Sequence, residues 1–130
     1  MFRHIVIGAD DIEEARRFYD AILAPLGIAE AVTDSKGRLF YSQSGTNFVI
    51  GRPIDGQAST YANGGTLGFR APSADAVDSW HRIGLEQGGT ACEDPPGLRI
   101  SPSTGKELYL AYLRDPTGHK ICAVYDASEY

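Results

Sequence analysis

The residues of this chain that could carry chemistry are few and lie far apart in sequence. His4 stands in an apolar run near the start, where a histidine could transfer a proton, bind a ligand or simply hydrogen-bond to a neighbour. Arg99 ends the stretch Pro96-Gly97-Leu98-Arg99 and could hold a carboxylate or phosphate in a bidentate pair, or be a surface arginine. Tyr109 could line a pocket or belong to the core.

The two cysteines, Cys92 and Cys122, do not have the spacing of a zinc site. Their plain interpretation is a pair of small apolar side chains in a reducing compartment. A reactive cysteine needs surroundings that stabilise its thiolate, which His4 would supply if it lay beside Cys122.

An internal repeat organises the chain. Residues His4–Ala9 can be laid over Thr66–Ala71 without a gap. Each copy has a short strand-like run, a helix-capping residue and an amphipathic helix, so equivalent positions are expected to face the same interior. Strand alternation turns His4 away from the helix toward a cavity, with its twin Thr66 as a hydrogen-bond partner.

The periodicity predicts the order strand, helix and three strands in each copy. Asp11 and Ser73 cap the two helices, whose apolar stripes contain Phe18 and its twin Trp80. The further predicted strands cover about residues 28–34, 38–42 and 47–50 in the first copy, and about 90–93, 108–114 and 120–125 in the second.

The segments between the predicted elements complete this organisation. Residues 94–106 are rich in Pro, Gly and Ser and predict a long loop, a common place for function. The sequence Asp-Pro-Thr-Gly at 115–118 predicts a hairpin turn, with His119 exposed just beyond it. We expect one domain over residues 1–130, made of module one (1–51), a connector (52–65) and module two (66–130).

The composition of the chain limits the kinds of partner that we expect it to bind. The net charge of −5 and the absence of a basic cluster argue against nucleic acid. The start of the chain does not resemble a signal peptide, and no segment approaches the roughly 20 apolar residues of a spanning helix. We therefore expect a soluble, cytoplasmic protein without a membrane partner.

The whole chain resembles the vicinal oxygen chelate superfamily, which includes glyoxalase I, extradiol dioxygenases and bleomycin-resistance proteins. The stretches that carry the resemblance are HIVIGADDIEEARRFYDAILAPLGI, FVIGRP, TLGFRAPSADAVDSWHRIGLEQGG, PGLR and YLAYLRDPTGHKICAVY. The resemblance implies an α+β fold in which two tandem βαβββ modules form an open curved sheet or barrel around a cavity. The open sheets of such a fold also suggest a homodimer.

The resemblance further implies a divalent metal held by up to four side chains, from the first and last strands of each module. Those positions fall on His4, Val49, Thr66 and Cys122. Valine cannot bind a metal, and His4 with Cys122 would be fewer than the three protein ligands of typical catalytic zinc sites. We therefore expect no cofactor. If a divalent metal is bound, His4 and Cys122 would hold it.

Two functions remain open at this point. The first is a small-molecule binding protein of the bleomycin-resistance type, in which His4, Thr66, Arg99, Tyr109 and Cys122 contact the ligand. The second is a glyoxalase-like or dioxygenase-like enzyme acting on a small anionic substrate, with His4 and Cys122 as its catalytic residues. Catalysis predicts that these two side chains are within reach of each other, whereas binding predicts an apolar cavity with few perturbed titratable groups.

Overall fold

The computed structural model describes residues 1–130, which form two modules of similar construction. In module one the elements are β1 (His4–Gly8), α1 (Ile12–Leu23), β2 (Val32–Thr33), β3 (Leu39–Gln43) and β4 (Thr46–Gly51). In module two they are β5 (Leu67–Arg70), α2 (Ala74–Glu86), β6 (Thr90–Ala91), β7 (Gly97–Ile100), β8 (Glu107–Arg114) and β9 (Lys120–Tyr125).

Each module contributes one open sheet. The first has the order β1-β4-β3-β2, and the second has the order β5-β9-β8-β6, with β7 also paired to β8. In both sheets the first strand runs parallel to the last strand of its own module, and the remaining pairs are antiparallel. The predicted α+β fold of two βαβββ modules is confirmed, with open sheets rather than a closed barrel.

Both helices begin directly after the capping residues that the sequence predicts, Asp11 and Ser73. The Asp11 carboxylate accepts a hydrogen bond from the Glu14 amide at 3.0 Å, and the Ser73 hydroxyl accepts one from the Ala76 amide at 3.1 Å. Such caps satisfy amides that have no partner inside the helix. Gly27 follows the first helix with φ of 80°, a conformation that glycine adopts without strain.

The main core lies between the helices and one face of each sheet, which we call the helix face. Phe18 and Ile22 on α1, and Val77 and Trp80 on α2, are completely buried there. The opposite side of the two sheets is called the open face. Neither helix is long and apolar enough to cross a membrane.

Two of the predicted segments differ from those of the structure. The strand predicted over residues 28–34 is reduced to Val32–Thr33, because side chains of α1 occupy the backbone groups of Ala31. Its amide donates to Asp20 at 3.1 Å and its carbonyl accepts from Arg16 at 3.5 Å. The loop predicted over residues 94–106 contains β7, which pairs in register with β8.

Two hydrogen bonds join the β8–β9 hairpin of module two to module one. The hydroxyl of Tyr19 on α1 donates to the buried carboxylate of Asp115 at 2.6 Å, and Nε2 of His119 donates to the Gly8 carbonyl at 2.8 Å. The predicted turn is confirmed, since the Gly118 amide bonds to the Asp115 carbonyl and Gly118 has φ of 108°. The prediction that His119 is exposed is wrong, because this contact leaves it half-buried.

Candidate functional site

The four positions at which the resemblance implies metal ligands, His4, Val49, Thr66 and Cys122, lie on the open face of the two sheets. Strand register pairs Val6 with Val49 in module one, and Gly68 with Cys122 in module two. Val6 and Gly68 are equivalent under the repeat, so Val49 and Cys122 occupy the same place in the two sheets. Neither belongs to the core cluster on the helix face.

These residues do not fit a divalent metal. Val49 is a buried aliphatic side chain with 2% exposure, while His4 and Thr66 are exposed on the first strands of the two sheets. Nowhere in the structure do three or more His, Cys, Asp or Glu side chains converge as a metal site would require. Because a metal used for catalysis needs several oxygen, nitrogen or thiolate ligands, no step of a reaction can be assigned to one here.

Cys122 is the most enclosed polar group of the open face. Its sulfur occupies the space that Gly68 leaves free, since a Cβ added at Gly68 would lie 3.2 Å from Sγ. Tyr112 is its partner on β8, and the Lys120 ammonium lies 4.8 Å from the centre of the Tyr112 ring. Burial raises the pKa of the Cys122 thiol to about 11, so the group is protonated at neutral pH.

Thiol reactivity should therefore separate the two cysteines. Cys92 is half-buried and Cys122 is buried, and both are free. At pH 8 only about one Cys122 side chain in a thousand is a thiolate, so Ellman's reagent should modify Cys92 first and Cys122 at least tenfold more slowly. Raising the pH toward 11 should reduce the difference between the two modification rates.

The Cys92→Ser and Cys122→Ser variants assign the two phases of that reaction. In denaturant both thiols should react at the same rate, because the protective burial is lost. Fast modification of Cys122 in the folded protein at pH 8 would contradict its assignment as an enclosed, protonated thiol.

The other predicted site residues form no hydrogen bond with Cys122 or with one another. The hydrogen bond expected between His4 and Thr66 is not formed, and the histidine that bridges the modules is His119. Tyr109 lies on the helix face, where its hydroxyl donates to Asp78 on α2 at 2.7 Å. Tyr109 thus packs against the core, which is one of the two alternatives that the sequence left open, and β8 places it opposite to Tyr112.

Arg99 lies on the open face, but its guanidinium is turned back onto its own segment. It donates to the Pro95 carbonyl at 2.8 Å and to the Leu98 carbonyl at 3.3 Å. These contacts compete with the bidentate pair that an anionic ligand would need.

The other cations of the open face also have partners within the protein. Lys120 is paired with Glu93, and Arg70 with Glu129 at 2.8 Å. Arg114 donates to the Gly118 carbonyl at 2.9 Å, and its guanidinium lies 5.2 Å from the centre of the Tyr61 ring. An anion on this face would have to replace these contacts.

A cleft of different character lies between the modules on the helix face. Its volume is about 160 Å³, and its walls come from both sheets and from the end of α1. The apolar side chains that face each other across it are Ile5, Tyr41 and Phe48 of module one and Leu67 and Phe69 of module two. The Phe48 and Phe69 rings meet edge to face, with their centres 5.3 Å apart. This cleft, called the intermodule cleft, is therefore lined by ring surfaces.

The intermodule cleft contains no Asp, Glu, Lys, Arg or His among its lining residues. The other sizeable clefts all include at least one such side chain. The Tyr41 hydroxyl points away and donates to Asp20 at 2.7 Å, and burial together with this bond raises the pKa of Tyr41. The sequence predicted a cavity between the modules but assigned none of the lining side chains to it, although Phe48 has the strand phase that brings it against Phe69 of the other module.

The two modules and the strand order of their sheets define a protein of the vicinal oxygen chelate superfamily. The chain belongs to the glyoxalase/bleomycin resistance protein family. It is 48% identical to a glyoxalase/bleomycin resistance protein from Albidiferax ferrireducens T118, with a TM-score of 0.91 over 96% of this chain and 98% of that chain.

More distant structures share the fold. A glyoxalase-related enzyme from Fulvimarina pelagi is 19% identical, with a TM-score of 0.70 over 97% of this chain and 88% of that chain. A glyoxalase/bleomycin resistance protein/dioxygenase family enzyme from Burkholderia phytofirmans PsJN is 15% identical, with a TM-score of 0.70 over 95% and 97% of the two chains. No protein-family model and no curated protein matches the chain.

Proposed function

We propose that this protein binds a small organic molecule between its two modules and that it does so without a divalent metal. The observation that carries the proposal is the intermodule cleft, which is apolar, formed by both modules and free of charged lining side chains. Binding sites of this kind are mostly apolar with a few polar groups that orient the ligand.

The open face supports the enzymatic alternative less well. Catalysis by His4 and Cys122 requires a paired acid and base, but His4 is exposed and burial raises the pKa of Cys122 to about 11. A cysteine nucleophile needs a lowered pKa instead. The cations that could hold an anionic substrate there are already bonded to protein groups.

Metal analysis tests the first half of the proposal. Protein purified without chelator is expected to contain well below one divalent ion per chain, and EDTA should leave its melting temperature unchanged. The physical reason is the ligand set, in which Val49 cannot coordinate and His4 and Thr66 are exposed. A stoichiometric metal that is lost in the His4→Ala variant would overturn the proposal.

Ligand-observed NMR tests the second half. EDTA-treated protein should be offered neutral, anionic and cationic aromatic compounds of six to twelve non-hydrogen atoms, and at least one class should show saturation transfer. Binding that requires an added divalent metal, or no binding by any class, would contradict the proposed function.

A further inference from the structure

We propose that the ligand of the intermodule cleft is a small, neutral aromatic molecule with one hydrogen-bonding group, such as a phenol. This inference rests on the proposed function and adds to it the chemical class of the ligand. Size, charge and the arrangement of polar groups at the mouth of the cleft each support one part of it.

Size comes first. The cleft holds about 160 Å³, below the roughly 300–1,000 Å³ of pockets for drug-sized ligands. An engineered apolar cavity of about 150 Å³ in another protein binds benzene. A single six-membered ring with one small substituent therefore matches the space between Leu67 and Phe48.

The lining excludes a charged ligand. Moving a carboxylate or an ammonium out of water is costly unless an opposite charge or several hydrogen bonds replace its hydration. No charged side chain lines the cleft. The ring surfaces of Tyr41, Phe48 and Phe69 instead favour an aromatic ring, because edge-to-face and offset contacts add to the area that is buried.

The polar side chains that line the cleft all belong to the end of the β3–β4 hairpin, where Ser42 and Asn47 are bonded to each other. Gln43 and Thr46 are opposite each other at the end of the β3–β4 hairpin, and both side chains have the strand phase of Tyr41 and Phe48. Both are exposed and uncharged. An amide and a hydroxyl at this place can donate to and accept from one hydroxyl group of a ligand whose ring lies deeper.

The intermodule cleft is separate from the open-face positions at which the resemblance implies metal ligands. The apolar side chains of β4 and β5 that line the cleft, Phe48, Leu67 and Phe69, belong to the helix face, whereas Val49 and Cys122 belong to the open face. Asn47 at the end of the hairpin also lines the cleft, but neither His4 nor Cys122 does. A ligand in the cleft therefore contacts neither His4 nor Cys122.

Three probes test the inference by NMR titration of EDTA-treated protein. Phenol is expected to bind with a Kd on the order of 1 mM, as its seven non-hydrogen atoms allow. Benzoate should bind at least tenfold more weakly, because its charge has no partner in the cleft. Cyclohexanol should bind several-fold more weakly, because it lacks an aromatic face.

Variants locate the bound phenol. Leu67→Trp fills the cleft and should weaken phenol binding at least tenfold, whereas Leu98→Trp, at an exposed leucine of β7, should leave it unchanged. Thr46→Val combined with Gln43→Ala should weaken phenol binding about three- to tenfold, as expected for lost neutral hydrogen bonds. Thr104→Val is the matched control at an exposed threonine outside the cleft.

The outcomes distinguish this inference from the function on which it rests. Phenol that does not bind, or that binds equally well to Leu67→Trp, overturns the inference. Benzoate binding that is tighter than phenol binding, survives Leu67→Trp and is lost in Lys120→Ala would place the ligand on the open face as an anion. That outcome overturns the inference, while the protein would still bind a small molecule without a metal. Binding only with an added metal would overturn the proposed function itself.

Discussion

Replacing Asp115 with alanine is expected to lower the free energy of unfolding by about 3 kcal/mol. The carboxylate is 6% exposed and accepts hydrogen bonds from the Tyr19 hydroxyl and from the backbone amides of Thr117, Gly118 and His119. Alanine would leave these donors without their partner inside the protein. It would also remove a direct bond between α1 and the β8–β9 hairpin.

A graded series measures the contributions by urea unfolding. Asp115→Asn keeps an acceptor for the amides and should lose less than Asp115→Ala, while Tyr19→Phe removes one hydrogen bond and should cost about 1–2 kcal/mol. Asp34 is the comparison, because it accepts from the Lys36 and Arg38 amides in a turn of module one and pairs with the Arg38 guanidinium, yet its side chain is 23% exposed. If Asp34→Ala is as destabilising as Asp115→Ala, burial of the Asp115 network is not the cause.

Replacing Trp80 with alanine should lower the free energy of unfolding by about 3–5 kcal/mol, the range for large aromatic side chains removed from a core. Trp80 on α2 is completely buried, and so is its repeat equivalent Phe18 on α1, for which a similar loss is expected. The cause in both cases is lost apolar contact together with the cavity that remains.

Trp80→Phe should cost much less than Trp80→Ala. The indole Nε1 is buried without a hydrogen-bond partner, so phenylalanine removes an unsatisfied donor as well as some volume. Far-UV circular dichroism is the suitable probe, since Trp80 is the sole tryptophan. Leu85→Ala, at an exposed position of α2, is the control and should change stability little. A loss below about 1.5 kcal/mol for Trp80→Ala would contradict its place in the core.

Much of the fold could be predicted from the repeat and the periodicity, because both reflect interactions between residues that are close in sequence. The caps at Asp11 and Ser73 and the turn before His119 depend on a few neighbouring residues, and all form as predicted. The residues after α1 could not be predicted as readily. Whether Ala31 joins a sheet depends on Arg16 and Asp20, which reach it from the neighbouring helix.

The edge strand β7 was not predicted because of the amino-acid composition of the segment around it. Pro, Gly and Ser around it are typical of a loop, yet Leu98 and Ile100 alternate with smaller or polar neighbours as a strand requires. Both leucine and isoleucine are more than half exposed, as expected for a short strand at the edge of a sheet.

Only the part of the candidate site that occurs in both copies of the repeat was predicted. The equivalence of Val49 and Cys122 follows from sequence alignment of the two copies, and the strand register agrees with it. The intermodule cleft depends instead on how the two sheets meet, which no periodicity within one module describes. Tyr109 shows the same limit, since its partner Asp78 is on a helix that the strand pattern alone does not place.

The bond between Tyr19 and Asp115 gives the duplicated halves different roles. The repeat equivalent of Tyr19 is His81, and alignment of the two hairpin turns makes Ser42 the equivalent of Asp115. Module one thus supplies the donor and module two the acceptor, and exchanging the halves would not restore the pair. The two halves are therefore complementary parts rather than interchangeable copies, because each holds one partner of a bond that the other half cannot supply to itself.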